Sequence, residues 1–245
     1  MMKIILNGAG GRMGRALREL LLSGDGGAVI CAEIDKNSPD MPFKNIADYK
    51  DAADVIIDFS HHSATKELVS YAMGRALPLV ICTTGQTEEE LALIREAALS
   101  VPVFLSANMS LGIAVLCDFA KRAAQLFPDA DIEIVEAHHN RKLDAPSGTA
   151  LMLADSICEA RPDSTLVYGR HGMEKRSEKE IGVHSIRLGS ETGMHEILIS
   201  NGFETLTLKH NAHTRDVFAK GALAAAKFLL TKQAGLYDMQ SIMKD

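Results

Sequence analysis

Residues 134–150, Ile-Val-Glu-Ala-His-His-Asn-Arg-Lys-Leu-Asp-Ala-Pro-Ser-Gly-Thr-Ala, carry the densest chemistry in the chain. His138, His139, Arg141 and Lys142 bring four cationic or proton-carrying groups into five residues of a chain whose net charge is −6. Pro146-Ser147-Gly148-Thr149 then opens a helix, and Ser147 or a neighbour is suited to cap it. A helix N-terminus facing a cationic loop is a cradle for a carboxylate. His138 and Lys142 are natural proton donors for a carbon protonated after hydride delivery. Which of the two delivers the proton stays open at this level.

A second motif concerns phosphate. Lys3-Ile-Ile-Leu-Asn-Gly8-Ala9-Gly10-Gly11-Arg12-Met13-Gly14 reads as a strand, a glycine turn and a helix start. Glycines let the backbone turn sharply beside a pyrophosphate, and the helix N-terminus offers N–H groups and a positive dipole end. The spacing is GxxGxxG with Gly10 added. An acidic residue about 20 residues on, ending the second strand, bonds the adenosine ribose in such units. Asp35 and Glu33 both fit and share a strand face; position at the strand end favours Asp35. Lys36 is either a contact to a 2′-phosphate or an ordinary surface lysine. Cys82-Thr83-Thr84-Gly85 and Ser106-Ala107-Asn108-Met109 follow two further strands, where an open parallel sheet binds ligand. His61 and His62 also follow a strand and read as surface or helix-cap residues.

The elements that must position these residues alternate through the first hundred positions. Strand-like runs fall at 3–6, 29–34, 55–59, 79–82 and 103–106, with helical spacing at 12–22, 63–75 and 88–99. Thr87-x-x-Glu90 is a capping box. This alternation predicts a doubly wound, Rossmann-like parallel sheet over residues 1–109. A helix at 112–126, a strand at 132–138 and a helix at 147–159 follow. A charged stretch at 161–182 reads as irregular, and strands near 183–188, 195–200 and 205–209 predict a mostly antiparallel sheet. Residues 110–215 are therefore expected to form a smaller α+β domain for substrate binding. The alanine-rich helix from about 215 to 232, and the segment 216–245 as a whole, are expected to return to the first domain.

The acidic balance argues against a nucleic-acid binder, which usually carries a basic face. No apolar run approaches the roughly 20 residues of a membrane span, and the N-terminus lacks a signal-peptide layout. A cytoplasmic protein is expected. Cys31, Cys82, Cys117 and Cys158 form no CxxC pair and there is no HExxH, so neither a disulfide nor a metal site is expected.

EAHHNRKLDAPSGTA closely resembles the central signature of the dihydrodipicolinate reductase family, which acts in the diaminopimelate route to lysine. The likeness extends to GAGGRMG, DFS at 58–60, TTG at 83–85, NMSLG, GVHSIRLG at 182–189, TRDVFAKGAL and GLYDM. It implies that Gly8, Ala9, Gly10, Gly11, Arg12 and Met13 hold the pyrophosphate of NADH or NADPH, and Asp35 the ribose. It implies that Cys82, Thr83, Thr84, Ser106, Ala107, Asn108 and Met109 line the nicotinamide side. The family often has Gly where Cys82 stands and Phe where Met109 stands. His138 is similar to the family's acid/base histidine and Lys142 to its proton donor. His139, Gly148 and Thr149, with Ser147 beside them, resemble ligands of the carboxylates, and Arg215 adds charge.

The substrate so implied is a cyclic dicarboxylate that loses water to a conjugated imine. Hydride adds at the ring carbon that carried the hydroxyl, and an acid protonates the adjacent carbon. The family's homotetramer, joined through the second domain's sheet, is implied as well. Two other readings use the same first domain: a different Rossmann imine reductase or amino-acid dehydrogenase, and a silent dinucleotide sensor. Neither requires HHNRK followed by PSGT.

Overall fold

A computed structural model describes residues 1–24 and 27–244; Asp245, the end of the expected 216–245 segment, lies outside the described residues. The chain runs through β1 (Met2–Asn7), α1 (Arg12–Leu22), β2 (Ala28–Ile34), β3 (Val55–Asp58), α2 (Thr65–Arg75), β4 (Leu79–Ile81), α3 (Glu88–Ala97) and β5 (Pro102–Leu105). Next come α4 (Leu111–Leu126), β6 (Asp131–His138), α5 (Gly148–Ala160), β7 (Thr165–Tyr168), β8 (Glu180–Arg187), β9 (Met194–Ser200) and β10 (Thr205–Asn211). The chain closes with α6 (Asp216–Leu229), β11 (Gly235–Tyr237) and α7 (Met239–Met243). Two compact units result, Met1–Ser110 with Arg215–Asp245, and Leu111–Thr214.

The first unit is built on a six-stranded sheet in the order β11-β5-β4-β3-β1-β2. Every pairing in it is parallel. β3 and β4 are buried at every position, as strands covered on both faces must be. Ile5, Ile56, Leu79 and Val103 meet Leu68, Val69 and Ile94 from the helices in one core. The chain leaves β1 for β2 on one side and returns to β3 on the other. That reversal opens a crevice at the carboxyl ends of β1 and β3. α3 starts on the expected capping box, with Thr87 and Glu90 bonding each other's backbone N–H.

The second unit holds a five-stranded sheet, β10-β9-β6-β8-β7. It is mixed rather than mostly antiparallel: β9 runs antiparallel to β6 and β10, while β6, β8 and β7 run parallel. The difference arises from α5, which crosses over between β6 and the strands that follow, and a helical crossover returns the chain in the same direction. β7 falls inside the stretch expected to be irregular. Only four residues long and half-exposed on the sheet edge, it carries no clean alternation. Ile132, Ile134, Ile181, Val183, Ile197 and Ile199 pack on Ile113, Leu116, Ala120, Leu153 and Ile157 of α4 and α5.

α6 is shorter than the helix expected over 215–232, and β11 and α7 follow it, α7 capped by Asp238. The cysteines are free thiols. Among the described residues no helix is long and apolar enough to cross a membrane.

Candidate active site

In the first unit a cleft of about 620 Å³ opens at the carboxyl ends of β1 and β3, lined by Gly8, Gly11, Asp35, Lys36, Phe59 and Ser60 among others. Gly8 has φ +79°, and a Cβ on it would lie 2.5 Å from the Phe59 carbonyl carbon. A Cβ on Gly14 would lie 2.5 Å from the Gly8 oxygen, so only glycine lets α1 start this close to the turn. The N-cap of α1, Gly11, offers no side-chain acceptor, and the first turn holds no acidic residue. Those N–H groups suit an anion. Asp35 accepts from Gly10 N at 3.0 Å and Asn37 N at 2.9 Å. Its rival Glu33 is instead held by Arg18 at 2.6 Å. The donor set and the glycine cradle fit a dinucleotide pyrophosphate and ribose.

Ala9 is buried under the turn, Arg12 is exposed and Met13 half-buried. None of these three, nor Gly10, is among the residues lining the cleft. Cys82–Thr84 and Ser106–Met109 do not line it either; they follow β4 and β5, further along the same sheet edge. Burial, with the nearby Asp58 carboxylate, pushes the Cys82 thiol well up, so it is no thiolate. Ser106 Oγ donates to Asn108 O at 2.7 Å, and Met109 is buried. His61 caps a short 3₁₀ turn, and His62 meets Glu90 at 2.9 Å.

Sequence reasoning missed the group that ties these strand ends together. Asp58, 2% exposed, accepts from Asn7 Nδ2 at 2.8 Å, Ser60 Oγ at 2.6 Å and Thr83 Oγ1 at 2.6 Å. Burial raises its pKa, and these hydrogen bonds oppose the rise. An acid ending an otherwise apolar strand was the available signal.

The second unit gathers His138 and Ser147 around a carboxylate also absent from the expected set, that of Glu136. Glu136 and His138 project from the core face of β6, two residues apart. The sheet register sets Arg187 of β8 opposite His138, and His195 of β9 opposite Glu136. Glu136 is 0% exposed. It takes His138 Nδ1 at 2.6 Å, Arg187 Nη1 and Nη2 at 2.9 and 2.7 Å, and Ser147 N at 3.2 Å. Burial pushes the Glu136 carboxyl up, but the bonds from His138 and Arg187 win and hold it at about 2.

Ser147 is the N-cap of α5, accepting from Ala150 N at 3.2 Å, and its Oγ lies 3.1 Å from His195 Nε2. Both its backbone N–H and its hydroxyl therefore have protein partners. Gly148 and Thr149 follow it in the first turn of α5. Burial, and then the charge of His138, push His195 down to about 4, so it is neutral near pH 7. Lys142 Nζ lies 2.8 Å from Asp144 Oδ1, a carboxylate 59% exposed. His139 shares this loop: its carbonyl accepts from Lys142 N at 3.1 Å. Arg215 is not among these residues; it belongs to the first unit, at the N-cap of α6.

Residues 2–109 match the family description "Dihydrodipicolinate reductase, N-terminus", and residues 112–243 match "Dihydrodipicolinate reductase, C-terminus". The chain belongs to the dihydrodipicolinate reductase family. It is 45% identical to the 4-hydroxy-tetrahydrodipicolinate reductase of Caldanaerobacter subterraneus subsp. tengcongensis, covering 100% of this chain and 99% of that one. Against the enzyme of the same name from Clostridium tetani it is 44% identical, over 99% and 97%. A solved dipicolinate-bound dihydrodipicolinate reductase from Paenisporosarcina sp. TG-14 superposes with a TM-score of 0.78 at 28% identity, over 97% of both chains. The C. glutamicum DAP dehydrogenase, at 13% identity and a TM-score of 0.59 over 97% of this chain and 92% of that one, shares the fold alone.

Proposed function

We propose that this member of the family reduces 4-hydroxy-tetrahydrodipicolinate, through dihydrodipicolinate, to tetrahydrodipicolinate, in the diaminopimelate route to lysine. The observation that carries this reading is the meeting of His138, Arg187 and the α5 N-cap Ser147 around the buried Glu136 carboxylate, with Lys142 on the loop that follows His138. A cationic, proton-carrying cluster of this kind answers a dianionic substrate that must gain a proton on carbon.

Bound NADH or NADPH supplies the hydride. Gly8–Met13 and Asp35 hold the dinucleotide in this reading, and Cys82–Thr84 with Ser106–Met109 flank its nicotinamide end. His139, Gly148 and Thr149 take the substrate carboxylates. A carboxylate arriving there competes with the exposed Asp144 for Lys142, which frees the ammonium to face the ring. Lys142 or His138 then gives a proton to the carbon beside the one reduced. Positive charge already in place lowers the cost of negative charge that develops during transfer.

A cytoplasmic location and a homotetramer joined through the second unit's sheet go with this reading. Sedimentation at micromolar concentration should show a species larger than a monomer, and a monomer alone would remove the assembly. The activity itself is tested by adding freshly generated 4-hydroxy-tetrahydrodipicolinate to enzyme and NADH. Loss of nicotinamide absorbance supports it. No loss here, beside turnover of an imino or amino acid, would assign the chain to another dehydrogenase activity.

A further inference from the structure

The surroundings of His138 decide which of its ring nitrogens carries the proton. Nδ1 lies 2.6 Å from Oε2 of Glu136. Each oxygen of that carboxylate also takes a nitrogen of Arg187, and Oε1 takes Ser147 N. An ionised carboxylate surrounded by donors can only accept. The short contact is therefore an Nδ1–H donating to Oε2.

The other nitrogen meets a different boundary. A Cβ on residue 193 would lie 3.1 Å from Nε2, so any side chain in place of Gly193 would press on that atom. The remaining charged and titratable neighbours come from three elements. Arg187 on β8 is committed to Glu136; Lys142 and Asp144 on the following loop pair with each other. His195 on β9 meets the ring edge-on at 5.2 Å.

We propose that Glu136, charge-balanced by Arg187, is a positioning residue. It holds the His138 imidazole with a proton on Nδ1, leaving Nε2 beside Gly193 as the atom that exchanges a proton with substrate. The inference rests on the reading that His138 takes part in proton transfer. The proton balance is simple. Nε2–H of the imidazolium protonates the reduced substrate, leaving a neutral ring that keeps Nδ1–H, and solvent restores the Nε2 proton. Arg187 matters here because it neutralises Glu136. A lone carboxylate would hold the imidazolium as an ion pair and oppose loss of that proton.

The decisive measurement is the tautomer of His138, read by long-range proton–nitrogen NMR on the full chain labelled at histidine. At a pH where the ring is neutral, the wild type should carry its proton on Nδ1. Glu136→Gln keeps the shape but changes the partner. Arg187 draws the amide oxygen to itself and turns the NH₂ toward Nδ1, which favours the Nε2–H form. That variant should lose about 10²-fold or more in kcat, the scale seen when a catalytic histidine is held in the wrong tautomer. KM and NADH affinity should stay within a few-fold.

A wild-type ring protonated on Nε2 overturns the proposal, and needs no variant to fold. So does a Glu136→Gln chain with both tautomer and kcat unchanged. A tautomer that switches as expected with kcat intact overturns the proton-exchange role, and contradicts the reading of His138 on which it rests.

Discussion

Arg187 grips Glu136 with both terminal nitrogens, Nη1 to Oε2 at 2.9 Å and Nη2 to Oε1 at 2.7 Å, across the parallel β6–β8 pair. The two residues lie 51 positions apart in the chain. The carboxylate is fully enclosed, and its bonds raise the guanidinium pKa in return. Removing one partner of a buried pair leaves an uncompensated charge. Arg187→Met should therefore destabilise the protein by on the order of 3 kcal/mol. Adding Glu136→Leu to Arg187→Met should recover much of that loss. Urea unfolding of the single and double variants checks this; a loss under about 1 kcal/mol for the single would show that His138 and Ser147 suffice.

His195 gives the fold a pH dependence of its own. Burial, and then the charge of His138, depress its pKa from the ordinary 6.5 to about 4. Between those values the unfolded chain binds a proton at this residue that the folded chain refuses. Its contribution is thus fully present above pH 6.5 and is lost as the pH falls toward 4, with a slope of up to about 1.4 kcal/mol per pH unit. The measurement is the wild type minus His195→Gln difference in unfolding free energy at several pH values. A difference that does not change between pH 7 and pH 4.5 would refute the assignment.

Cofactor choice follows from the end of β2. Asp35 lines the cleft and repels a 2′-phosphate, while Lys36 and Lys44 line the same cleft and attract it. Both cofactors should work, with NADH at least as good as NADPH. Lys36→Ala should lower kcat/KM for NADPH more than for NADH. A wild-type preference for NADPH above about a hundredfold, roughly 2.7 kcal/mol, would mean that Asp35 does not hold the ribose or that the lysines dominate.

Much of this arrangement is legible in the residues themselves, for reasons that lie in range. The glycine turn, the Thr87–Glu90 box and the Ser147 cap are local, so their chemistry shows within a few positions. β3 and β4 are buried runs, apolar but for Asp58, of the kind a parallel sheet demands. Glu136 is different. In Ile-Glu-Ile-Val-Glu-Ala-His it looks like one more break in an apolar alternation. Its partners arrive from β8 and β9, and only strand register brings them in. Asp58 is hidden in the same way, since Asn7 comes from β1 and Thr83 from the loop after β4. β7 escapes because four half-exposed residues among charges leave no period to read.

The cationic loop after β6 is expected to perform the proton chemistry of a nicotinamide-dependent reduction. Lys142 is the residue to change, because its ammonium lies 2.8 Å from the exposed Asp144, a partner that an arriving carboxylate can replace. Lys142→Met keeps much of the stem's volume and deletes both charge and proton. The measurement is steady-state kcat with 4-hydroxy-tetrahydrodipicolinate beside NADH binding by fluorescence, for the wild type and the variant. The kcat should fall by about 10²–10⁴-fold, with NADH affinity nearly unchanged because the glycine cradle belongs to the first unit. A near-normal kcat in the variant would contradict it.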